Sequence, residues 1–299
     1  MQHTPVTTIP APRISETQPH SGSTDATVKE QELRRLMREM RQVLVAYSGG
    51  VDSSYLAYIA NDELGANAVC VLGISPSVSD FQKEEAKSTA QLFSLNFETL
   101  ETREIENEHY SANPSNRCYF CKSELYEKLT DMAGSRNIAF VLDGTNADDL
   151  RDVRPGRIAA TEKQVRSPLA EVGLTKAEIR ERSRSAGLPS WEKPASPCLA
   201  SRIAYGVPVT IERLSKVEAA EQCIRELGFR EFRVRVHGDL ARIEISPAEL
   251  DNALNKDFAD RVSQKLTEIG FKFVTLDLKG FRSGSMNQSS KFNKNFLER

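Results

Sequence analysis

Two groups of residues in this chain of 299 residues have the types and spacing that chemistry requires. The first is the run SGGVDSS, from Ser48 to Ser54, in which glycines, hydroxyls and one carboxylate follow a stretch of β-forming residues. The second is a set of three cysteines, with Cys118 and Cys121 in a CxxC pair and Cys198 far along the chain. A glycine-rich turn before a helix binds anions such as phosphate, and grouped thiols bind soft metals or carry out redox chemistry.

The SGGVDSS run indicates a phosphate-binding turn. The segment VLVAY before it predicts a strand and the amphipathic segment after it predicts a helix. Gly49 and Gly50 allow a sharp bend and a close approach of the ligand, and Ser48, Ser53 and Ser54 place hydroxyls beside the free amides of the helix start. Because the lysine of the GxxxxGK[ST] pattern is missing, the turn is not the common nucleoside-triphosphate loop. An ordinary strand-to-helix turn is the alternative.

A second polar turn, DGTNADD over residues 143–149, follows a predicted strand at 139–142. It should therefore open at the same edge of the sheet as the first turn. Composition alone allows a plain polar turn. Its position favours a role in nucleotide binding, in which Gly144, Thr145 and Asn146 line the nucleotide pocket.

The three separated cysteines predict a metal centre. A lone CxxC pair is a weak signal, but the loop of Cys198 is expected to reach the same crevice as Cys118 and Cys121. Three thiolates suit a cubane iron-sulfur cluster with one iron open to an exogenous sulfide, whereas structural zinc needs four closed ligands. A zinc or redox pair and unligated thiols stay open as alternatives. Cys70 and Cys223 lie in apolar patterns and are expected to pack in the core.

Composition limits the class of protein. Basic and acidic residues number 40 and 42, so the net charge of −2 disfavours a protein that grips long nucleic acids. No apolar run reaches membrane-spanning length. The few cysteines fit a reducing cytoplasm, and residues 1–28 have the composition of a disordered tail without the apolar core of a secretory signal.

The elements that must position these residues alternate between strand and helix. This pattern predicts an α/β fold, a doubly wound parallel sheet over residues 29–207 whose ligand crevice lies at the carboxyl ends of the strands. A helix is predicted over 123–133, directly after the CxxC pair. From residue 208 to 299 the pattern changes to helix, paired strands, two helices and a strand, which indicates a second, smaller α+β domain.

Five segments carry a resemblance to a known family: SGGVDSS, DGTNADD, WEKPASPCLASRIAYG, RVRVHGDLARIE and GFRSGSMN. Together they resemble the LarE family of PP-loop sulfur transferases, and the match spans nearly everything after the tail. The resemblance implies an adenine nucleotide alpha hydrolase-like domain that uses ATP and Mg²⁺ to adenylylate pyridinium-3,5-biscarboxylic acid mononucleotide, releasing pyrophosphate and AMP. Two rounds would yield thiocarboxylates, handed onward to other proteins that make the nickel-pincer nucleotide of lactate racemase. We also expect a homo-oligomer.

The resemblance implies roles for individual residues. Asp52 would act in catalysis and meet the magnesium ion, and Val51 belongs to the ATP-binding turn. Cys198 matches the synthase cysteine of the family, while Cys118 and Cys121 are typical of a three-cysteine branch that resembles enzymes using a [4Fe-4S] cluster to bring in sulfide. We therefore favour a role for Cys198 as a cluster ligand. The alternative is that Cys198 gives up its own sulfur.

Further residues are assigned to the catalytic and substrate sites. Arg233 and Arg235 alternate along one predicted strand and so face the same side, where two guanidinium groups suit a phosphate or carboxylates; an exposed strand face is the alternative. Trp191 could stack on a pyridinium or adenine ring or be a packing anchor. The resemblance adds four polar residues, namely Glu221 as a catalytic residue and Arg202, Glu244 and Arg282 as substrate-binding residues.

Other functions compete with this interpretation. A PP-loop tRNA thiolase with a three-cysteine cluster would use the same activation chemistry, but the near-neutral charge disfavours RNA binding. A non-catalytic nucleotide-binding module would bind ATP without turnover. A synthetase that uses ammonia is disfavoured because no glutaminase sequence is present.

Overall fold

The computed structural model describes residues 21–151 and 155–282, with side chains from residue 25 onward. Short 3-10 turns connect several of the elements. The helices and strands, in chain order, are α1 (Ser21–Met40), β1 (Val43–Tyr47), α2 (Val51–Leu64), β2 (Ala68–Ile74), α3 (Asp80–Leu92), β3 (Asn96–Glu101), α4 (Glu108–Ser111), α5 (Arg117–Ser135), β4 (Phe140–Leu142), α6 (Pro155–Glu162), α7 (Pro168–Glu171), α8 (Lys176–Ser185), α9 (Ile211–Glu226), β5 (Phe232–His237), β6 (Leu240–Ile245), α10 (Lys256–Ile269) and β7 (Phe273–Leu276).

The first sheet is parallel throughout. In the described residues its strands pair in the order β3-β2-β1-β4, so β1 lies inside the sheet. Successive side chains of a strand point to opposite faces. Val43 and Val45 pack in one core with residues of α1, α2 and α8, whereas Leu44 packs in another with residues of α5 and α6. Helices cover both faces, and the predicted α/β fold with a parallel sheet is confirmed.

The second sheet is small and mixed. Its order is β5-β6-β7, with β5 and β6 antiparallel and β6 and β7 parallel. Val234 and Ile243 pack against Val217 of α9 and Leu266 of α10 in a separate hydrophobic core. This arrangement agrees with a smaller α+β unit after the parallel sheet. The division of the chain at residue 208 stays a prediction.

Two elements begin earlier than the sequence pattern predicts. Helix α5 begins at Arg117, so Cys118 and Cys121 lie inside its first turns and not before a helix beginning at residue 123. Helix α1 begins at Ser21, so residues 21–28, expected in a disordered tail, are helical. The rest of the expected tail, and residues 283–299 of the expected second domain, lie outside the described residues.

Hydrogen bonds connect segments around the parallel sheet with the chain that leads into the second sheet. The side-chain amide of Asn113 donates to the carbonyls of Ala204 and Val207, each at 2.8 Å. At the start of α3, the backbone amide of Asp80 donates to Glu218 of α9 at 2.6 Å. These bonds tie residues 204–207 and helix α9 to the segments of Asn113 and Asp80.

None of the helices within residues 21–151 and 155–282 combines the length and the apolar character needed to span a membrane.

Candidate active site

The SGGVDSS turn has the geometry of a phosphate-binding loop. Gly49 lies in the left-handed region with φ of 71°, and a Cβ there would come within 2.7 Å of Ala86 Cβ on α3. Only glycine fits this position. Gly50 caps α2 without a side-chain hydrogen bond to the helix start, and hydroxyls of Ser48 and Ser53 bond to each other at 2.9 Å across the turn. The turn therefore offers helix-start amides and hydroxyls to an anion.

The DGTNADD turn packs directly on the phosphate-binding turn. A Cβ on Gly144 would lie 2.9 Å from the backbone nitrogen of Ser53, so only glycine allows this approach. Asp143 anchors the turn by accepting from the backbone amide of Thr145 at 3.0 Å. The buried side chain of Asn146 reaches Asp52 at 3.4 Å. The structure thus brings the three residues expected at the nucleotide pocket beside the first turn of α2.

A lysine that the sequence interpretation missed completes this end of the site. Lys176 Nζ lies 2.5 Å from Asp52 Oδ2, and the backbone amide of Lys176 donates to Asp148 at 2.8 Å. A sequence signal exists: Lys176 is the first residue of α8, after the capping box of Thr175 and Glu178. A cation at the positive end of a helix is unfavourable, so a lysine there indicates a function.

The three cysteines singled out by the sequence come together beside the second core. Cys121 and Cys198 both pack on that core next to Tyr110, and Cys118 is the most exposed of the three. Burial, reinforced by the charges of Glu104, Cys198 and Cys118, raises the pKa of the Cys121 thiol. Cys121 therefore lies near both of the other thiols. Cys70 and Cys223 are buried, which confirms their predicted packing role.

The loop of Cys198 is held in place from both sides. The backbone amide of Leu199 donates to Ser77 O at 2.8 Å, and Gln82 of α3 donates to Ser196 O at 2.9 Å. Tyr110 bonds to Ser77 Oγ at 2.6 Å. This loop is therefore anchored to the start of α3 and to Ser77, which also bonds to Tyr110 of α4.

A buried carboxylate lies near the thiols. Glu104 accepts hydrogen bonds from Ser75 Oγ at 2.6 Å and Thr102 Oγ1 at 2.8 Å. It is fully enclosed, and its charge is the second cause, after burial, of the raised pKa of Cys121. No local sequence pattern singles out Glu104, because its surroundings come from three separate segments of the chain.

The cysteine set offers donor atoms of the type that iron-sulfur clusters use, without the geometry of a metal site. Cys118, Cys121 and Cys198 are soft sulfur donors, no disulfide links any of the five cysteines, and two of the three lie one helical turn apart. Within the part of the chain that the structure describes, no group of three or more His, Cys, Asp or Glu side chains is arranged to hold a metal ion. The thiols are thus gathered in one place but not set in a closed ligand geometry.

A cavity of about 390 Å³ lies between the two sheets, and its lining contains five cationic side chains and two carboxylates. Lys193 joins this cavity to the phosphate-binding turn, because its Nζ donates to Gly49 O at 3.4 Å and lies 3.5 Å from Glu85. The cationic lining residues are Lys193, Arg202, Arg225, Arg230 and Arg233. Of these, the sequence interpretation singled out only Arg202 and Arg233.

Two ion pairs are buried beside the cavity. Arg202 and Glu221 form a two-pronged pair at 2.8 and 3.0 Å, and Glu221 also accepts from the backbone amide of Val234 at 3.1 Å. Arg235 pairs with Glu244 at 3.0 Å. Both carboxylates form ion pairs with buried arginines, and Glu221 accepts a further backbone hydrogen bond, so these contacts stabilise the buried charges.

The arginines of β5 share one face, as their spacing requires, and that face is not exposed. Arg233 and Arg235 are both buried. Arg233 donates to the carbonyls of Phe232 and Ala195, and its guanidinium lies 4.8 Å from the ring centroid of Phe281. Burial chiefly, with the charge of Arg202, lowers the pKa of Arg233 to about 10.

Trp191 and Arg282 have their described contacts elsewhere. Trp191 stacks against Arg184 at 5.0 Å from its ring centroid, and its carbonyl accepts from Arg180. Arg282 bonds to Gly280 O at 3.2 Å and Asp277 at 3.4 Å. Neither lines the cavity, so their substrate-binding roles stay predictions.

Comparison with known proteins gives relatives that span most of the chain. Residues 28–125 match the NAD synthase family. The chain is 45% identical over 260 residues to an uncharacterised protein of Synechocystis, a match covering 87% of this chain and 97% of that protein. It is 37% identical over 262 residues to the pyridinium-3,5-bisthiocarboxylic acid mononucleotide synthase of Lactiplantibacillus plantarum, covering 87% and 94%. An uncharacterised protein of Methanocaldococcus jannaschii is 30% identical over 243 residues, covering 81% and 92%.

Proposed function

The chain belongs to the LarE family, that of pyridinium-3,5-bisthiocarboxylic acid mononucleotide synthase, and from this premise we propose that it transfers sulfur to the carboxylates of pyridinium-3,5-biscarboxylic acid mononucleotide at the expense of ATP. It is a PP-loop enzyme of the ATP-utilising type. In the proposed pathway the product goes to other proteins that build a nickel-pincer nucleotide for lactate racemase.

The proposed ATP site is built on the turn between β1 and α2. Amides at the start of α2 and the hydroxyls of Ser48 and Ser53 would bind the phosphates of ATP. Asp52 is an oxygen ligand of the kind that Mg²⁺ prefers, and Asn146 and Lys176 hold its carboxylate in place. Lys176 also supplies a positive charge next to the phosphates.

The proposed chemistry follows from the poor reactivity of a carboxylate. One carboxylate oxygen of the substrate attacks the α-phosphorus of ATP, and pyrophosphate leaves. The acyl adenylate then has a good leaving group. A sulfur nucleophile attacks the acyl carbon, and AMP departs with the former carboxylate oxygen. A second round on the other carboxylate gives the bisthiocarboxylate.

Cys118, Cys121 and Cys198 would hold a [4Fe-4S] cluster. When bound, such a cluster supplies a site from which sulfide can be delivered. The cysteines support this role because none of them is in a disulfide, Cys121 lies near the other two, and Cys198 belongs to the loop of residues 193–202. Cys198 serves as a ligand in this proposal and keeps its sulfur.

One observation carries the proposal. Lys193, in the same loop as Cys198, donates to Gly49 O at 3.4 Å, so the segment bearing the sulfur chemistry touches the turn that binds ATP. This contact supports placing the activated acyl group and the cysteine loop in one crevice.

Pyrophosphate release tests the activation step. We expect release to depend on the biscarboxylated mononucleotide and to fall strongly in Asp52→Ala, while circular dichroism shows an unchanged fold. Release by ATP alone at the same rate would contradict the proposal and favour a different substrate. Tight binding of bulk tRNA at physiological salt would favour the thiolase alternative.

Reconstitution tests the cluster separately. Anaerobic incubation with iron and sulfide should give a brown protein with broad visible absorption, and Cys118→Ala should lose it, whereas Cys70→Ala should keep it because Cys70 is buried in the sheet core. An unchanged, colourless wild-type protein would remove the cluster from the proposal.

A further inference from the structure

The cavity between the sheets has more positive charge than its own carboxylates neutralise. Glu221 is paired with Arg202, and Glu85 lies 3.5 Å from Lys193. No other carboxylate lines the cavity in the described residues. Arg225, Arg230 and Arg233 therefore have no carboxylate of their own on the cavity walls, although the charges of Glu221, Glu85 and Glu218 oppose the lowering of the Arg225 pKa by burial.

Arg225 is a cavity cation to which the proposed function assigns no role. Its guanidinium lies 3.9 Å from the ring centroid of Phe81 on α3 and 5.6 Å from that of Phe232 on β5. It donates to Gln222 at 2.8 Å. Burial lowers its pKa, and among the described residues no carboxylate lies within 4.0 Å of it. A guanidinium stacked on a ring is held in one orientation with its edge left for a ligand.

Arg233 is a second cation in the cavity lining, next to Phe232 in strand β5, and its guanidinium lies over the ring of Phe281. It is only 5% exposed, and its hydrogen bonds go to backbone carbonyls. Among the described residues, no carboxylate lies within ion-pair distance of it, in contrast to Arg202 and Arg235. Because a buried charge without a counter-ion in contact is costly, the buried Arg233 and the half-buried Arg225 beside one cavity indicate an anionic ligand.

We propose that Arg225, stacked on Phe81, recognises the phosphate monoester of the nucleotide substrate, with Arg233 as its partner. This inference rests on the proposed function. A volume of about 390 Å³ lies within the range of small-molecule sites. Lys193 joins the cavity to Gly49, so a substrate anchored by its phosphate at Arg225 can extend its carboxylates toward the ATP-binding turn.

Phosphate is favoured over a carboxylate as the group at Arg225. Each guanidinium presents a planar fork, and a phosphate has three terminal oxygens to accept from two forks at once. The carboxylates must lie near ATP to be activated, at the other side of the cavity. The phosphate is the remaining anion of a mononucleotide.

The test compares the mononucleotide with its dephosphorylated nucleoside as substrates for pyrophosphate release. We expect wild type to prefer the mononucleotide, and Arg225→Gln to lower kcat/KM for the mononucleotide by about 10- to 100-fold while leaving the nucleoside unaffected. The KM for ATP should not change. Arg261→Gln, which removes an exposed arginine of α10, is the matched control and should behave as wild type.

Two results would overturn the assignment. An unaltered preference in Arg225→Gln would show that Arg225 does not sense the phosphate, and an equal loss for both substrates would show a structural role. Where Arg225→Gln does not fold, Arg225→Lys keeps the charge but loses the planar fork, and should lower the preference by about 3- to 10-fold. Absence of substrate-dependent release in wild type would instead refute the proposed function.

Discussion

Removing one partner of the buried Arg202–Glu221 pair tests whether Glu221 acts mainly in stabilising the fold or in catalysis. The two side chains are 3% and 6% exposed and form a two-pronged ion pair. Arg202 also donates to Pro197 O at 2.6 Å and Cys198 O at 3.2 Å, so the pair ties the cysteine loop to α9. Glu221→Gln leaves a buried guanidinium without its counter-charge, which should cost about 3–5 kcal/mol of unfolding free energy.

The corresponding fall in melting temperature is roughly 6–20 °C, because 1 kcal/mol shifts a protein of this size class by about 2–4 °C. Thermal and urea unfolding followed by circular dichroism measure it. Arg202→Met should destabilise similarly, but the double variant should be far more stable than the sum of the two losses predicts, because no unpaired charge is left. The exposed pair of Lys265 and Glu226, each 52% exposed, provides the control cycle, in which we expect little change.

Additive losses in the double variant would refute this reasoning. If Glu221→Gln kept wild-type stability yet abolished thiocarboxylate formation, Glu221 would act on the substrate, and its ion pair with Arg202 would not be its main role.

Three further predictions concern the ATP site and the long helix that packs on it. Gly49→Ala should raise the KM for ATP at least about tenfold because its Cβ would meet α3, whereas Gly187→Ala, with a similar φ of 74° and open space around it, should leave that KM unchanged. Lys176→Met should lower kcat/KM for ATP by about 10- to 100-fold, since a cation beside Asp52 is lost; wild-type kinetics would contradict this role. Burial tends to raise the pKa of Glu30, but hydrogen bonds from Arg182, Tyr55 and Arg34 outweigh burial and lower this pKa below its usual value of 4.5. Ionised Glu30 therefore stabilises the fold above pH 4.5. This contribution is lost as the pH falls through the lowered pKa. Urea unfolding of Glu30→Gln should therefore depend less on pH below 4.5 than that of wild type, and equal slopes would contradict the assignment.

Features set by local sequence were predictable. The turn of Gly49 follows from a strand, two glycines and a helix start that are contiguous in the chain, and the cap of α8 follows from Thr175 and Glu178. The shared face of Arg233 and Arg235 follows from the two-residue period of a strand. Each of these needs only neighbours in the sequence.

Features set by contacts between distant segments were not predictable. The start of α5 was missed because its cap, Asn116, makes no side-chain hydrogen bond, so packing and not a local signal fixes the helix start. Burial of the β5 arginines depends on Glu244 of β6 and on the loop of residues 193–202. The role proposed for Arg225 depends on its contact with Phe81 of α3, a residue that is distant in the sequence.

The central claim is that a substrate carboxylate is activated as an acyl adenylate and then attacked by sulfur. Its most direct test uses substrate whose carboxylates carry ¹⁸O, with the AMP formed during thiocarboxylate synthesis analysed by mass spectrometry. Because AMP leaves with the former carboxylate oxygen, we predict AMP that contains one ¹⁸O atom for each thiocarboxylate formed. Thiocarboxylate formed together with unlabelled AMP would contradict the claim.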